Sequence, residues 1–255
     1  MISATLSITA ILVALLAMLV LLGGRRAEAL MAPEIRRKLL HIAMGGVTLI
    51  LPFIFYDTVH VWWLAGLAFC ILMIVRCVGR VKARIGGALH NIGRNSFGEL
   101  CFPLGVATVF SLAGDDYLKY LVPMLILTFG DSLAALVGIY HGRQRFRTLD
   151  GYKTIEGSVV LFGVSLLCVF LPYGLSGTVD LAPLLLVAIN LAFLVTLVEA
   201  TTWRGIDNFV LPVAAFYLLN AYLPLDIGSL LSQALLNSTL VLAILMLRRS
   251  RLAKE

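Results

Sequence analysis

The chain has 255 residues, 60% of them hydrophobic and 13% charged, with 20 Lys and Arg against 14 Asp and Glu. A mean hydropathy of +0.99 excludes an ordinary soluble domain. The net charge of +6 comes from short basic clusters between apolar runs, a positive-inside pattern rather than a nucleic-acid-binding face.

A spanning helix needs about 20 mostly apolar residues. The long apolar runs show no strand alternation, which argues against a transmembrane barrel. Residues 6–22 form the first predicted span; Arg25 and Arg26 follow it and no basic stretch precedes it. That arrangement reads as an uncleaved anchor with its N-terminus outside. A basic linker with Pro33 leads into a second span at 39–56 and a third at 60–75. The polar loop 76–99 carries Arg80, Lys82, Arg84 and Arg94 around Gly86-Gly87, and suits both an anionic headgroup surface and plain solvation. The fourth span, 100–113, is short and contains Pro103.

The fifth span, 118–140, and the sixth, 157–173, flank a central loop; a seventh, 181–200, carries Glu199 at its end. An eighth (209–223) and a ninth (229–247), closed by Arg248-Arg249, complete the count. The expected fold is an all-α, polytopic integral membrane protein of about nine transmembrane helices, N-terminus outside and C-terminus cytoplasmic. That topology places every Lys and Arg except Lys119 in the cytoplasm, and Asp57, Asp115, Asp116, Asp180 and Asp226 on the opposite side. Cys70, Cys77, Cys101 and Cys168 include no CxxC pair and read as core filler.

Chemistry concentrates in residues 130–159. Asp131 lies nine residues deeper than the interfacial Tyr140, roughly 13 Å at the helical rise. A carboxylate at that depth needs a partner, a metal or a wet cavity, so metal ligation and a buried ion pair are both open. Small residues (Gly130, Ala134, Ala135, Gly138) allow close helix approach under either reading. Arg143, Arg145 and Arg147 alternate and would share one face of an extended loop. Lys153 and Glu156, three apart after Asp150-Gly151, fit a helix-opening salt pair and equally a lysine clamping phosphates beside free backbone N–H groups. No Walker-type glycine loop is present, so a nucleotide site here is not a P-loop.

Outside this stretch, Ser96-Phe97-Gly98-Glu99 has capping-box spacing, and a metal or substrate role for Glu99 stands beside it. Asp207-Asn208 opens the eighth span as a candidate cap or ligand pair, and Glu199 has no near partner in sequence except Arg204. His41, one turn inside the second span after Arg37 and Lys38, is a candidate base or phosphate donor and equally a packing residue.

The ordered set Glu34-x-x-Arg37-Lys38-x-x-His41, Gly98-Glu99-x-x-Phe102-Pro103-Leu104-Gly105, Gly130-Asp131-x-x-Ala134, Lys153-Thr154-x-Glu156-Gly157-Ser158 and Glu199 with Asp207-Asn208 resembles the polyprenol kinase family. That family includes dolichol, phytol and farnesol kinases and the CTP-dependent diacylglycerol kinase of fungi. The pieces Gly130-Asp131 and Lys153-Thr154-x-Glu156-Gly157 are also similar to phosphatidate cytidylyltransferases. The resemblance covers 34–212 as a catalytic core, within a single transmembrane domain completed by an anchor and linker (1–33) and C-terminal helices with a basic tail (213–255).

The resemblance implies phosphoryl transfer from CTP to a membrane lipid alcohol (a polyprenol, a phytol-like isoprenoid or diacylglycerol) with Mg²⁺, at a cytoplasm-facing site. It implies Asp131, Glu156 and Asp207 as metal ligands. Arg143, Arg145, Arg147, Lys153, Thr154, Gly157, Ser158, Asp207 and Asn208 would be nucleotide contacts, and Asp131, Lys153, Glu156, His41 and Glu99 catalytic candidates, with Glu199, Arg37 and Lys38 as further candidates. The rival readings are a cytidylyltransferase, which attacks the α-phosphorus, and a secondary transporter built around the same buried charges.

Overall fold

The computed structural model describes residues 2–81, 96–149 and 151–252. Lys82, Arg84, Gly86, Gly87, Arg94 and Asp150 lie outside the described residues. Helix α1 runs over Ile2–Gly23, a short α2 over Arg25–Leu30, α3 over Pro33–Leu49, α4 over Leu51–Ile54 and α5 over Thr58–Cys77. Beyond residue 95 come α6 (Gly98–Ala113) and α7 (Tyr117–Leu125), a π turn (Ile126–Gly130) and α8 (Asp131–His141). Strands β1 (Arg145–Thr148) and β2 (Gly151–Thr154) form an antiparallel hairpin before α9 (Ile155–Ser176), α10 (Leu181–Thr201), α11 (Asp207–Tyr222) and α12 (Ile227–Leu252).

Each of the nine predicted apolar segments is helical over most of its length. Among the described residues, six helical stretches are long and apolar enough to cross a membrane: Ala4–Gly23, Pro33–Ile54, Thr58–Cys77, Tyr117–His141, Ile155–Ser176 and Leu181–Thr201. The chain is therefore a multi-pass, all-α membrane-type protein; the hairpin is an addition that the apolar pattern did not disclose. Helices α6 and α11 have 16 residues each, about 24 Å at 1.5 Å per residue, against a hydrocarbon core of ~30 Å. Both are largely buried, pack on each other, and α11 also packs on α7.

The rod α7–π–α8 is the centre of the bundle. Val122, Met124, Ile126 and Leu127 are fully buried there, against Val106 and Val109 of α6, Val169 of α9, Leu191 of α10 and Leu211 of α11. The outward faces of the long helices carry Trp63, Phe53, Leu67, Leu167, Leu171, Leu235 and Leu236, an apolar exterior suited to lipid rather than water. Core filler describes only Cys168; Cys101 is half-buried and Cys70 and Cys77 are exposed on α5, so the latter two face outward among apolar neighbours. All four are free thiols.

The two ends of the bundle differ. Asp57 follows α4, Asp116 precedes α7, Asp180 precedes α10 and Asp226 follows α11. Three of them cap helices: Asp57 accepts from Val59 N (2.9 Å), Asp116 from Lys119 N (3.2 Å), and Asp226 from Gly228 N (2.9 Å). The opposite ends of the same rods, namely the starts of α3 and α11 and the finishes of α8 and α10, converge on the site described next.

Candidate active site

A pocket of about 490 Å³ opens at that convergence, within the ~300–1,000 Å³ typical of small-molecule sites. Its walls come from Arg37 and Lys38 of α3, Asp131, Ala134, Ala135 and Gly138 of α8, the β1–β2 hairpin, the first turn of α9, Glu199 of α10 and the loop 202–206 leading into Asp207 and Asn208. Five cations (Arg37, Lys38, Arg145, Lys153, Arg204) and three carboxylates (Asp131, Glu199, Asp207) line it. Such a wall suits an anion carried with a cation.

Asp131 sits at the floor, 5% exposed, where the π turn gives way to α8. Its Oδ2 accepts from Lys38 Nζ at 2.6 Å, and Lys38 also donates to the Asp131 carbonyl at 3.2 Å. Lys38, 1% exposed, therefore supplies the cation that sequence adjacency did not. His41 is one turn further along α3. Its Nε2 lies 3.0 Å from the Leu127 carbonyl and 3.7 Å from Asp131 Oδ2. Its ring meets Phe102 edge-on, with centroids 5.1 Å apart. His41 thus packs beneath the pocket and is absent from its lining.

The hairpin forms one flank. Arg145 pairs with Thr154 and Arg147 with Tyr152, so the two arginines share an exposed face as their alternation predicts. Only Arg145 of the three reaches the pocket wall; Arg143 and Arg147 do not. Thr154 caps α9 by accepting from Gly157 N at 3.1 Å and also lines the pocket. Gly157 has to be glycine for packing: a Cβ there would sit 2.8 Å from the Ala134 carbonyl of α8.

Lys153 does not pair with Glu156. It donates to Glu199 Oε1 at 2.6 Å and to the Glu199 carbonyl, tying the hairpin to the end of α10. Glu156 turns away from the pocket and accepts the backbone N–H groups of Arg143 (3.0 Å) and Gln144 (3.1 Å). It clasps the turn before β1, so a metal-ligand role does not fit this geometry.

The loop into α11 forms the other flank. Arg204 (φ 54°) and Gly205 (φ 82°) are left-handed, a conformation tolerated at low cost only by glycine. The bend is fixed from outside: Phe97 N donates to Arg204 O at 2.7 Å and Asn208 Nδ2 to Gly98 O at 2.8 Å. Glu99 belongs to this brace. It accepts from Arg76 at 2.5 Å, while Arg76 also holds Ser96 O (2.6 Å) and lies over the Phe97 ring (4.5 Å). Glu99 therefore neither closes a capping box nor lines the pocket; Ser96 Oγ receives Gly98 N instead.

Asp131, Lys38, Arg37, Arg145, Lys153, Thr154, Gly157, Ser158, Glu199, Asp207 and Asn208 are brought together, while Glu156, Glu99, His41, Arg143 and Arg147 stand outside the wall. Sequence reasoning missed Trp203, Tyr152 and Thr202 on that wall. Trp203 beside the loop glycine was the available signal. Among the described residues no three of His, Cys, Asp and Glu form a cage for a metal. Mg²⁺ typically takes only one or two carboxylates and completes its shell with phosphate and water. Asp131 and Asp207 fit that need, since both line the pocket.

No family profile matches the chain, and no solved structure does. Over 193 residues the chain is 30% identical to phytol kinase of Synechocystis sp. (strain ATCC 27184 / PCC 6803 / Kazusa), covering 71% of this chain and 76% of that protein.

Proposed function

Because the chain belongs to the polyprenol kinase family that includes phytol kinase, we propose that it transfers the terminal phosphoryl group of CTP to the hydroxyl of a phytol-type or longer isoprenoid alcohol held in the bilayer. The observation that carries this reading is the mixed wall of one pocket, where cations from α3 and the hairpin face Asp131 and Asp207 at one end of an apolar bundle. Phosphoryl transfer asks mainly for positioning and charge neutralisation, which such a wall provides.

Arg145, Arg37 and Lys153 hold the triphosphate from the hairpin and α3 sides. Asp131 and Asp207 would hold Mg²⁺, which supplies neutralisation of the phosphate charge when bound. The alcohol oxygen attacks the γ-phosphorus, the bond to the β–γ bridging oxygen breaks, and CDP leaves. The hydroxyl proton passes to a pocket carboxylate, since His41 lies outside the lining. Ile139 is half-exposed on the outer face of α8 and also lines the pocket, which supports sideways access for the alcohol. The basic end that carries the pocket faces the cytoplasm in this reading, by the positive-inside bias.

The test is product analysis with radiolabelled CTP and a panel of alcohols (phytol, farnesol, a dolichol, diacylglycerol) in detergent. CDP with a lipid monophosphate is the expected outcome. Pyrophosphate with a CDP-lipid would make the protein a cytidylyltransferase. Preferential use of ATP would overturn the donor assignment.

A further inference from the structure

The centre of the bundle departs from α-helical geometry at one place, the π turn Ile126–Gly130, immediately before Asp131. A π turn widens the helix so that the Asp131 N–H reaches back to the Ile126 carbonyl. Such turns are frequent at functional sites. Here the turn packs against α3. Lys38 grips Asp131 at its carbonyl and carboxylate, His41 reaches the Leu127 carbonyl at 3.0 Å, and Gly45 lies against Thr128. These three residues, spaced over two turns of α3, all meet the stretch from Leu127 to Asp131.

The His41 contact fixes its chemistry. A carbonyl only accepts, so Nε2 must carry the hydrogen and donate it to Leu127. The Nε2 atom is thereby committed, cannot take a proton from an alcohol, and lies 3.7 Å from Asp131 Oδ2, beyond a hydrogen bond. Phe102 covers one edge of the ring. The charged groups that act on the imidazole include Asp131, Lys38 and Arg37.

We propose that His41 is a positioning residue, which holds the π turn through the Leu127 carbonyl and so aims the Asp131 carboxylate into the pocket. The proposal rests on the kinase reading for its catalytic consequence but not for its structural one. Without the His41 N–H, the Leu127 carbonyl is left without this partner in an apolar core, and the turn relaxes toward the regular ladder. Asp131 then rotates with the start of α8, and misplacement of about 1 Å is enough to cost on the order of 10²-fold in rate.

The experiment compares His41→Gln, whose amide can donate to Leu127 O, with His41→Leu, which cannot. Two readouts are taken on the full chain in detergent. Turnover should fall on the order of 10²-fold in His41→Leu, with KM for CTP nearly unchanged, and recover in His41→Gln. The pH profile of kcat should keep its wild-type shape in His41→Gln, because no titrating base has been removed. Amide exchange over 126–131, which needs no turnover, should speed up in His41→Leu and return toward wild type in His41→Gln. A folded His41→Gln protein with wild-type exchange but no activity, or with an altered acid limb near neutral pH, overturns the proposal in favour of a base. Wild-type exchange rates in His41→Leu overturn it as well. If the wild-type protein phosphorylates no alcohol, the kinase reading fails and the exchange result still decides the role of His41.

Discussion

The ammonium of Lys38 lies 2.6 Å from Asp131 Oδ2, across 93 residues of sequence, with both side chains almost fully buried. Removing one member of a buried pair leaves an uncompensated charge and typically costs ~3–5 kcal/mol. Lys38→Met should therefore lower stability by about that amount, and adding Asp131→Asn should restore much of it. A double-mutant cycle by thermal unfolding in detergent checks this; additive losses would show that the two residues do not stabilise each other.

Asp131→Asn by itself should abolish turnover while the protein stays folded. The amide oxygen can still accept from Lys38, so the protein should stay folded, with some stability lost to the uncompensated Lys38 ammonium, but the charge needed to hold Mg²⁺ is gone. Rate against Mg²⁺ concentration is the measurement. Activity near wild type at limiting Mg²⁺ would reduce Asp131 to a packing partner of Lys38.

Lys153 is tethered to Glu199 on the pocket wall, whereas Arg145 is an exposed member of the same wall. Lys153→Ala should lower catalysis or CTP affinity by on the order of 10²-fold, the scale of losing a preorganised charge-stabilising group. Lys153→Arg should rescue poorly, because a planar fork replaces a compact point charge. Glu199→Gln should weaken the same step by loosening the tether. If the hairpin only anchors to anionic lipid, Lys153→Ala and Arg145→Ala should match, at about 1 kcal/mol each. Rates against CTP concentration in neutral detergent separate the two.

Glu156→Gln tests the reassignment of that carboxylate. It clasps the amides of Arg143 and Gln144, and glutamine keeps one acceptor oxygen. The Mg²⁺ dependence of the rate should be unchanged, with at most a modest loss of kcat. A shift in apparent Mg²⁺ affinity would return Glu156 to the metal shell.

Orientation is testable by single-cysteine labelling in a background lacking the four native thiols. Cysteines at Arg145 and Arg204 should label from one side, the cytoplasm, and cysteines at Asp57 and Asp180 from the other. Labelling of Arg145 and Asp57 replacements from the same face would break the nine-crossing scheme.

The bundle is legible in the sequence because its signals are local. Hydropathy along the chain is a one-dimensional property, so it locates the nine helical segments and assigns basic and acidic loops to opposite ends. Asp131 stands out on the same ground, since a carboxylate deep in an apolar run is costly wherever its partner lies. The alternation of Arg145 and Arg147 likewise survives as a shared strand face.

What the tertiary structure decided is the pairing. Whether Lys38 meets Asp131, whether Lys153 meets Glu199 across 46 residues or Glu156 across three, and whether His41 faces the pocket or the Leu127 carbonyl all depend on helix rotation and crossing. Those are set by packing between elements distant in sequence, through contacts such as Gly157 on the Ala134 carbonyl. The periodicity of any one helix does not contain them. The same residue types at the same spacing therefore read as ligand, clamp or base until the neighbouring helix is in place. Only then does Glu156 become a turn clasp, Glu99 a brace for the loop into α11, and His41 the support beneath Asp131.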